Sequence, residues 1–216
     1  TGDAVLAVNS SPVPLAGLAP FTVGVPEAAT GVLTVETGGG GWVIDTGLLR
    51  VVVDAEGLLP SVVHTPTGRE LVARGRKFGL LQVHNDRPSM YEAWDIDAHI
   101  GRVVEDLATA DSVRLVTSEP GLAEVETVHS IGESTITTLL RFTAGSAAID
   151  LDLDIDWHEQ RRLLKLAFPT SVFTDRATSE IQFGHIARPT HANTTWDVAR
   201  YETCAHRWVQ VAEPGF

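Results

Sequence analysis

A chain of 216 residues, 44% of them hydrophobic, is long enough for one large β domain or two small ones, and apolar enough to bury a core. Its formal net charge of −12 argues against nucleic acid as a partner, because phosphates select basic surfaces. There is no run of about 18 apolar residues to span a membrane, no basic-then-apolar leader, and one cysteine, Cys204, which cannot make an internal disulfide or a cysteine-based zinc site.

That thiol sits in Tyr201-Glu202-Thr203-Cys204-Ala205, where a buried, inert role is expected, and a reducing compartment is allowed. The chain opens on Thr1 rather than Met, which suggests a fragment. Residues 1–29 are rich in Pro, Ala and Gly, and short extended pieces are expected around Ala4–Val8 and Phe21–Val25. Residues 1–30 therefore read as an extended segment or part of a small β satellite, and residues 31–216 as the main β region.

From Gly31 the pattern is β. Val32, Leu33 and Val35 predict a strand broken at Gly38–Gly41. Leu48–Asp54 is a β-branched run ended by Glu56-Gly57, followed by Leu59–Val63, the turn Pro66-Thr67-Gly68, and Phe78–Val83. Strands joined by such short polar turns form a meander. Further strands are predicted at Gly101–Glu105, Ser112–Thr117, Ala123–His129 and Thr135–Phe142.

Ile149, Leu151, Leu153, Ile155 and Trp157 then alternate with Asp150, Asp152, Asp154 and Asp156. Period two predicts a strand with one buried face. Gln160–Arg162 is read as a turn and Leu163–Phe168 as the returning strand, with Arg161, Arg162 and Lys165 able to pair across to the aspartates. No amphipathic helix of about 10 residues is visible, and strands recurring about every 8–12 residues favour an antiparallel β-sandwich. The end at Glu213-Pro214-Gly215-Phe216 lacks an expected closing strand.

Two stretches are chemically dense. His84–Asp97 sets Tyr91 and Trp94 among Asp86, Glu92, Asp95 and Asp97. A planar ring covers the apolar C–H face of a sugar while carboxylates accept hydrogen bonds from its hydroxyls. A buried ring capped by a carboxylate leaves the same wording. The second, Phe183–Asp197, holds His185, Arg188, His191, Asn193 and Trp196 without a steady period. It reads as a loop, either a binding loop on a β scaffold or a hydrogen-bonded loop sealing one end of the sandwich.

Metal readings are weak. Alternate residues on a strand lie about 6.6–6.8 Å apart, whereas calcium ligands converge to about 2.3–2.6 Å, so the four aspartates read as a solvated face. His185, His191 and Asp197 suit zinc by type, but a loop spacing fixes no geometry, and His158 and Glu159 point to opposite faces of a strand. No pair of carboxylates stands out as a glycosidase dyad, and phosphate-loop, dinucleotide and nucleophile-elbow patterns are missing.

Four motifs, in order, carry a resemblance. They are Asp86-Arg87-Pro88-x-x-Tyr91-x-Ala93-Trp94-Asp95-Ile96-Asp97; Asp156-Trp157-His158-Glu159 leading to Leu163–Pro169; Glu180-Ile181-Gln182-Phe183-Gly184-His185-Ile186-x-Arg188-Pro189-Thr190-His191-x-Asn193-Thr194-x-Trp196-Asp197-x-Ala199-Arg200-Tyr201-Glu202; and Ala205-His206-Arg207-Trp208 before Glu213–Phe216. From about Thr46 onward this wording resembles the α-mannosidases of glycoside hydrolase family 38, of the cytosolic and bacterial type.

The resemblance implies the C-terminal β-sandwich region, similar to the galactose-mutarotase supersandwich and cut short at its C-terminal end. It implies retaining hydrolysis of terminal α-D-mannosyl residues by a cytoplasmic enzyme. It also implies that zinc, nucleophile and acid/base lie in an upstream catalytic domain, with no metal bound by this chain. Mannosides and that upstream domain are the implied partners, and a docking face left uncovered would favour self-association. The implied substrate-wall residues are Tyr91, Trp94, Asp95 and Asp97, with Arg188 and His191 near the domain junction. Three alternatives stay open: a free-standing carbohydrate-binding module, a mutarotase-type enzyme using His84 and His185, and a plain spacer domain.

Overall fold

The computed structural model describes residues 6–9, 18–19, 21–25, 31–91, 94 and 96–214. Near the N-terminus β1 (Ala7–Asn9) and β2 (Thr22–Gly24) pair antiparallel. A five-stranded meander follows: β3 (Thr34–Gly38), β4 (Gly41–Asp45), β5 (Leu49–Val53), β6 (Ser61–His64) and β7 (Arg69–Glu70). The glycine run does not end the sheet. Gly38 pairs with Gly41, and Gly39 and Gly40, at φ +62° and +84°, make the two-residue turn whose twist suits a hairpin.

Next come β8 (Leu80–Asn85), a 3-10 helix (Ala98–Arg102) and β9 (Val104–Leu107). The strand expected over Gly101–Glu105 is therefore split between helix and strand, with Ile100 buried under the helical turn. The long hairpins β10 (Ser112–Glu119), β11 (Leu122–Ile131), β12 (Ser134–Thr143) and β13 (Ile149–Asp156) form a four-stranded sheet in sequence order. Then β14 (Arg162–Ala167) pairs with β8, giving the sheet order β14-β8-β9. Last are β15 (Arg176–Ile181), β16 (Gly184–Pro189), the four-residue helix α1 (Thr195–Val198) and β17 (Val209–Val211), in the order β16-β15-β17. Strand pairing is antiparallel throughout the described residues.

The core lies between the meander and the four-stranded sheet. Ile44, Val51, Val53 and Val62 face Ala123, Val125, Leu140 and Phe142 in one cluster. Alternation puts every second residue of each strand on that inner face, as in a sandwich. Thr46 ties the two layers at one end. Its hydroxyl donates to the Ser146 carbonyl at 2.7 Å and accepts the Leu49 amide at 2.9 Å, while its carbonyl accepts the Gly145 amide at 2.7 Å. The β8 sheet extends the meander through the bridges Leu59–Phe78 and Val72–Thr170, and Phe78 meets Phe168 edge-on at 5.6 Å.

The acidic strand β13 departs from expectation. It pairs with β12, not β14, and β14 is taken by β8. Arg141 of β12 reaches Asp152 at 3.3 Å, whereas Arg162 turns to Glu105 at 3.7 Å and Lys165 to Glu202. Its apolar face is covered only at the start: Leu153 is 36% and Ile155 43% exposed, since β13 is an edge strand among the described residues. Several strands arise where none was predicted: β4, the two-residue β7, β15, β16, which lies inside the stretch read as a loop, and β17 near the end.

His129, on the inner face of β11, is buried, and burial pushes its imidazole below the ordinary histidine range against the opposing charges of Asp111 and Glu56. The folded chain therefore holds it neutral, and the unfolded chain binds more protons below about pH 6.5. Stability should be full above that pH and fall as the pH drops toward the lower folded value. His129→Leu should flatten that slope in urea titrations between about pH 7.5 and 5. An unchanged slope would assign the pH dependence to other groups.

Candidate functional site

The first dense stretch leaves the end of β8, the central strand of its sheet. The Asp86 amide donates to the Arg161 carbonyl at 2.9 Å, which starts the loop against β14. At the far side the Asp97 carboxylate accepts the Ser89 amide at 2.8 Å and lies 3.6 Å from His99 Nδ1. Asp97 thus closes the loop with one oxygen. Inside, Tyr91 has φ +59° and its carbonyl accepts the Trp94 amide at 2.8 Å. This tight turn leaves Tyr91 67% and Trp94 88% exposed. The reading of a buried, capped ring fails for Trp94. Asp95, like Glu92, lies outside the described residues.

The second stretch folds against the β15–β16 hairpin. Arg188 donates from Nη1 to the Cys204 carbonyl at 2.8 Å, and the Cys204 thiol is exposed rather than buried, because the segment after α1 runs along the surface. Asp197 organises the loop. It receives the Thr194 amide at 3.0 Å and the Thr194 hydroxyl at 2.8 Å, while its own amide donates back to that hydroxyl at 3.2 Å. This is a reciprocal cap on α1. His191 Nδ1 stands 3.5 Å and Arg200 Nη1 3.8 Å from the same carboxylate. The Thr194 hydroxyl, with further help from the His191 charge, outweighs burial and holds the Asp197 carboxyl below its usual range.

Two adjoining hollows follow this loop. One of about 470 Å³ is lined by Arg188, Glu202 and Cys204, and one of about 400 Å³ by His191, Asp197 and Tyr201; both are bounded by Pro189 and Arg200. The Glu180 carboxylate, accepting the Arg207 amide at 2.8 Å and Nε at 3.0 Å, straps the following segment to β15. Arg207 also holds the Glu180 carboxyl below its usual range.

The two dense stretches meet. The Tyr201 hydroxyl donates to the Ile96 carbonyl, and Lys165 of β14 pairs with Glu202. The fold therefore joins the loop that carries the exposed Tyr91–Trp94 turn to the loop that bounds the polar hollows. Tyr201, Glu202 and Lys165 make that junction; from sequence Tyr201 and Glu202 stood only within the third motif and beside Cys204, and Lys165 only within the second motif and as a partner for the aspartates of β13. The Thr194-x-x-Asp197 capping signature was readable, but a tyrosine bond across 105 positions leaves no local mark.

His185 does not join His191. Its ring packs 6.3 Å from Trp208, and among the described residues no three His, Cys, Asp or Glu side chains gather as metal ligands. His84 is buried, with Nδ1 3.3 Å from the Ile100 carbonyl, so it does not flank a cleft with His185 as a mutarotase-type site would need.

A family model described as "Glycosyl hydrolases family 38 C-terminal domain" matches residues 44–216. The chain is 35% identical over 188 residues to Alpha-mannosidase 2C1 of Homo sapiens, covering 86% of this chain and 18% of that protein. It is 28% identical over 185 residues to Alpha-mannosidase of Saccharomyces cerevisiae, covering 79% of this chain and 17% of that one. It thus spans less than a fifth of the length of these curated relatives. The crystal structure of an alpha-mannosidase from Enterococcus faecalis superposes with a TM-score of 0.70 at 15% identity, over 91% of this chain and 26% of that one, which is a likeness of fold.

Proposed function

The chain belongs to the family 38 glycosyl hydrolases through their C-terminal domain, and from that membership we propose that it is the β region of a retaining, zinc-dependent α-mannosidase that removes terminal α-D-mannosyl residues. In this reading the chain is not catalytic alone. It walls the active site of a longer, cytoplasmic polypeptide whose upstream domain holds the nucleophile and the acid/base. The described residues offer no convergent ligand set for zinc, so the reading puts the metal in the rest of that polypeptide and draws no step through it here.

The observation that carries this reading is the exposed Trp94 ring, raised on a turn that Tyr91 and Asp97 hold and that Tyr201 ties to the second loop. A ring so exposed is available to stack on a sugar face. Tyr91 would flank it, Asp95 or Asp97 would accept a hydroxyl hydrogen bond, and Arg188 and His191 would stand at the domain junction.

In the full-length polypeptide, Trp94→Ala should lower kcat/KM for an aryl α-mannoside about tenfold, the equivalent of one stacking contact of about 1.4 kcal/mol. Unchanged kinetics would remove Trp94 from the substrate wall. The 216-residue chain alone should be silent in the same assay, with or without zinc. Turnover by this chain would place the catalytic carboxylates within it, and mannoside binding without turnover in the full polypeptide would favour a binding module.

A further inference from the structure

Phe183 sits in the turn of the β15–β16 hairpin, where Ile181 pairs with Gly184 and only Gln182 and Phe183 lie between. Its φ is +64°, in the left-handed region where Cβ crowds the carbonyl and a glycine is the usual occupant of such a turn. The ring is also fully exposed. Two independent penalties thus fall on one residue, and neither serves the hairpin, since glycine or asparagine would make the same turn without them. Strain and exposed apolar surface that coincide in this way point to a contact made elsewhere.

The same unit offers more apolar surface. Register sets Ile186 and Val209 on either side of Ser179, with Val211 beside Ala177, on one face of the β16-β15-β17 sheet. Ile186, Val209 and Val211 are all exposed. Since the relatives extend over more than five times the matched length, most of the polypeptide lies outside this chain. A second copy of the chain suits the face less well, because each copy carries −12 and like charges repel.

We propose that the Phe183 tip inserts into an apolar pocket on the remaining part of the same polypeptide, with Ile186, Val209 and Val211 forming the strip that docks beside it. This rests on the reading that the chain is one region of a longer glycoside hydrolase. The hairpin is then a docking element whose local strain is offset only in the assembled protein.

Calorimetry of Phe183→Gly in two contexts tests the proposal. In the 216-residue chain the variant should melt about 2 °C higher, because the left-handed strain is relieved while the ring, fully exposed before and after unfolding, contributes nothing. In the full-length polypeptide it should melt lower than the wild type, because the anchor is lost. Phe183→Asn, which also tolerates this φ, should follow the glycine variant, and Phe183→Leu should keep most of the docking. A gain of equal size in both contexts would overturn the proposal. So would a 216-residue chain that sediments as a dimer and becomes monomeric with Phe183→Gly while the full polypeptide melts unchanged, since the occupant would then be a second copy. A full polypeptide without α-mannosidase activity would sink the functional reading, and the calorimetry would still decide the docking.

Discussion

Phe142→Ala is expected to destabilise the chain by about 3–5 kcal/mol, a large part of the roughly 5–15 kcal/mol that holds a typical domain together. Phe142 is fully buried on β12, where it belongs to the cluster shared by both layers of the sandwich. Its partner across the ladder, Ala123, is small and equally buried, so the directly opposed side chain cannot fill the space. The loss combines the transfer of the ring to water in the unfolded chain with the cavity left behind. Phe142→Leu, which keeps most of the volume, should cost clearly less. Urea unfolding of both variants measures this. Equal and small losses would mean that the two sheets are not packed through Phe142.

Alternation and turn residues made the sandwich legible. Leu48–Asp54, Ser112–Thr117, Ala123–His129 and Thr135–Phe142 predict strands that the structure extends by only one or two residues at either end, except at β5, which is shorter. Pairing partners were harder. Charge suggested that the aspartates of β13 face the basic residues of β14, yet β12 is the strand joined to β13 by a short turn, and its ten alternating residues offer the better ladder. Exposed ion pairs worth a few tenths of a kcal/mol do not override that. β16 was hidden for another reason. His185-Ile186-Ala187-Arg188-Pro189 has no apolar alternation, and it is a strand because β15 supplies its ladder.

The site followed the same division. Aromatic and acidic residues drew attention to His84–Asp97 from composition alone, and polar density drew it to Phe183–Asp197. That the two lie together depends on the Tyr201–Ile96 and Lys165–Glu202 contacts, which join a loop on the β8 sheet to a loop on the β15 sheet. Such contacts depend on how the sheets are arranged, and local periodicity holds no record of it. Asp197 illustrates the limit: its type suited a metal ligand, but its Oδ2 is engaged by the Thr194 amide and hydroxyl in capping a single helical turn.

Gly57→Ala is expected to cost about 2–5 kcal/mol, the sum of a left-handed penalty of about 1–2 and an overpacking penalty of about 1–3. Gly57 has φ +76°, in the turn where the Asp54 carboxylate accepts the amides of Glu56 and Leu58 at 3.0 and 2.9 Å. A Cβ there would stand 2.1 Å from Thr127 Cγ2, on the buried face of β11, and 3.5 Å from Val113 Cγ1. Threonine is β-branched and stiff at χ1, so the methyl cannot swing away cheaply. The two penalties separate in a double-mutant cycle. Thr127→Ser removes the methyl and keeps the hydroxyl, so in that background Gly57→Ala should cost only the conformational part, about 1–2 kcal/mol. An equal cost in both backgrounds would mean that the turn does not press on β11. Recovery would show that the connection after β5 is seated directly on the opposite sheet, and that this glycine is required for its lack of a side chain as well as for its backbone angle.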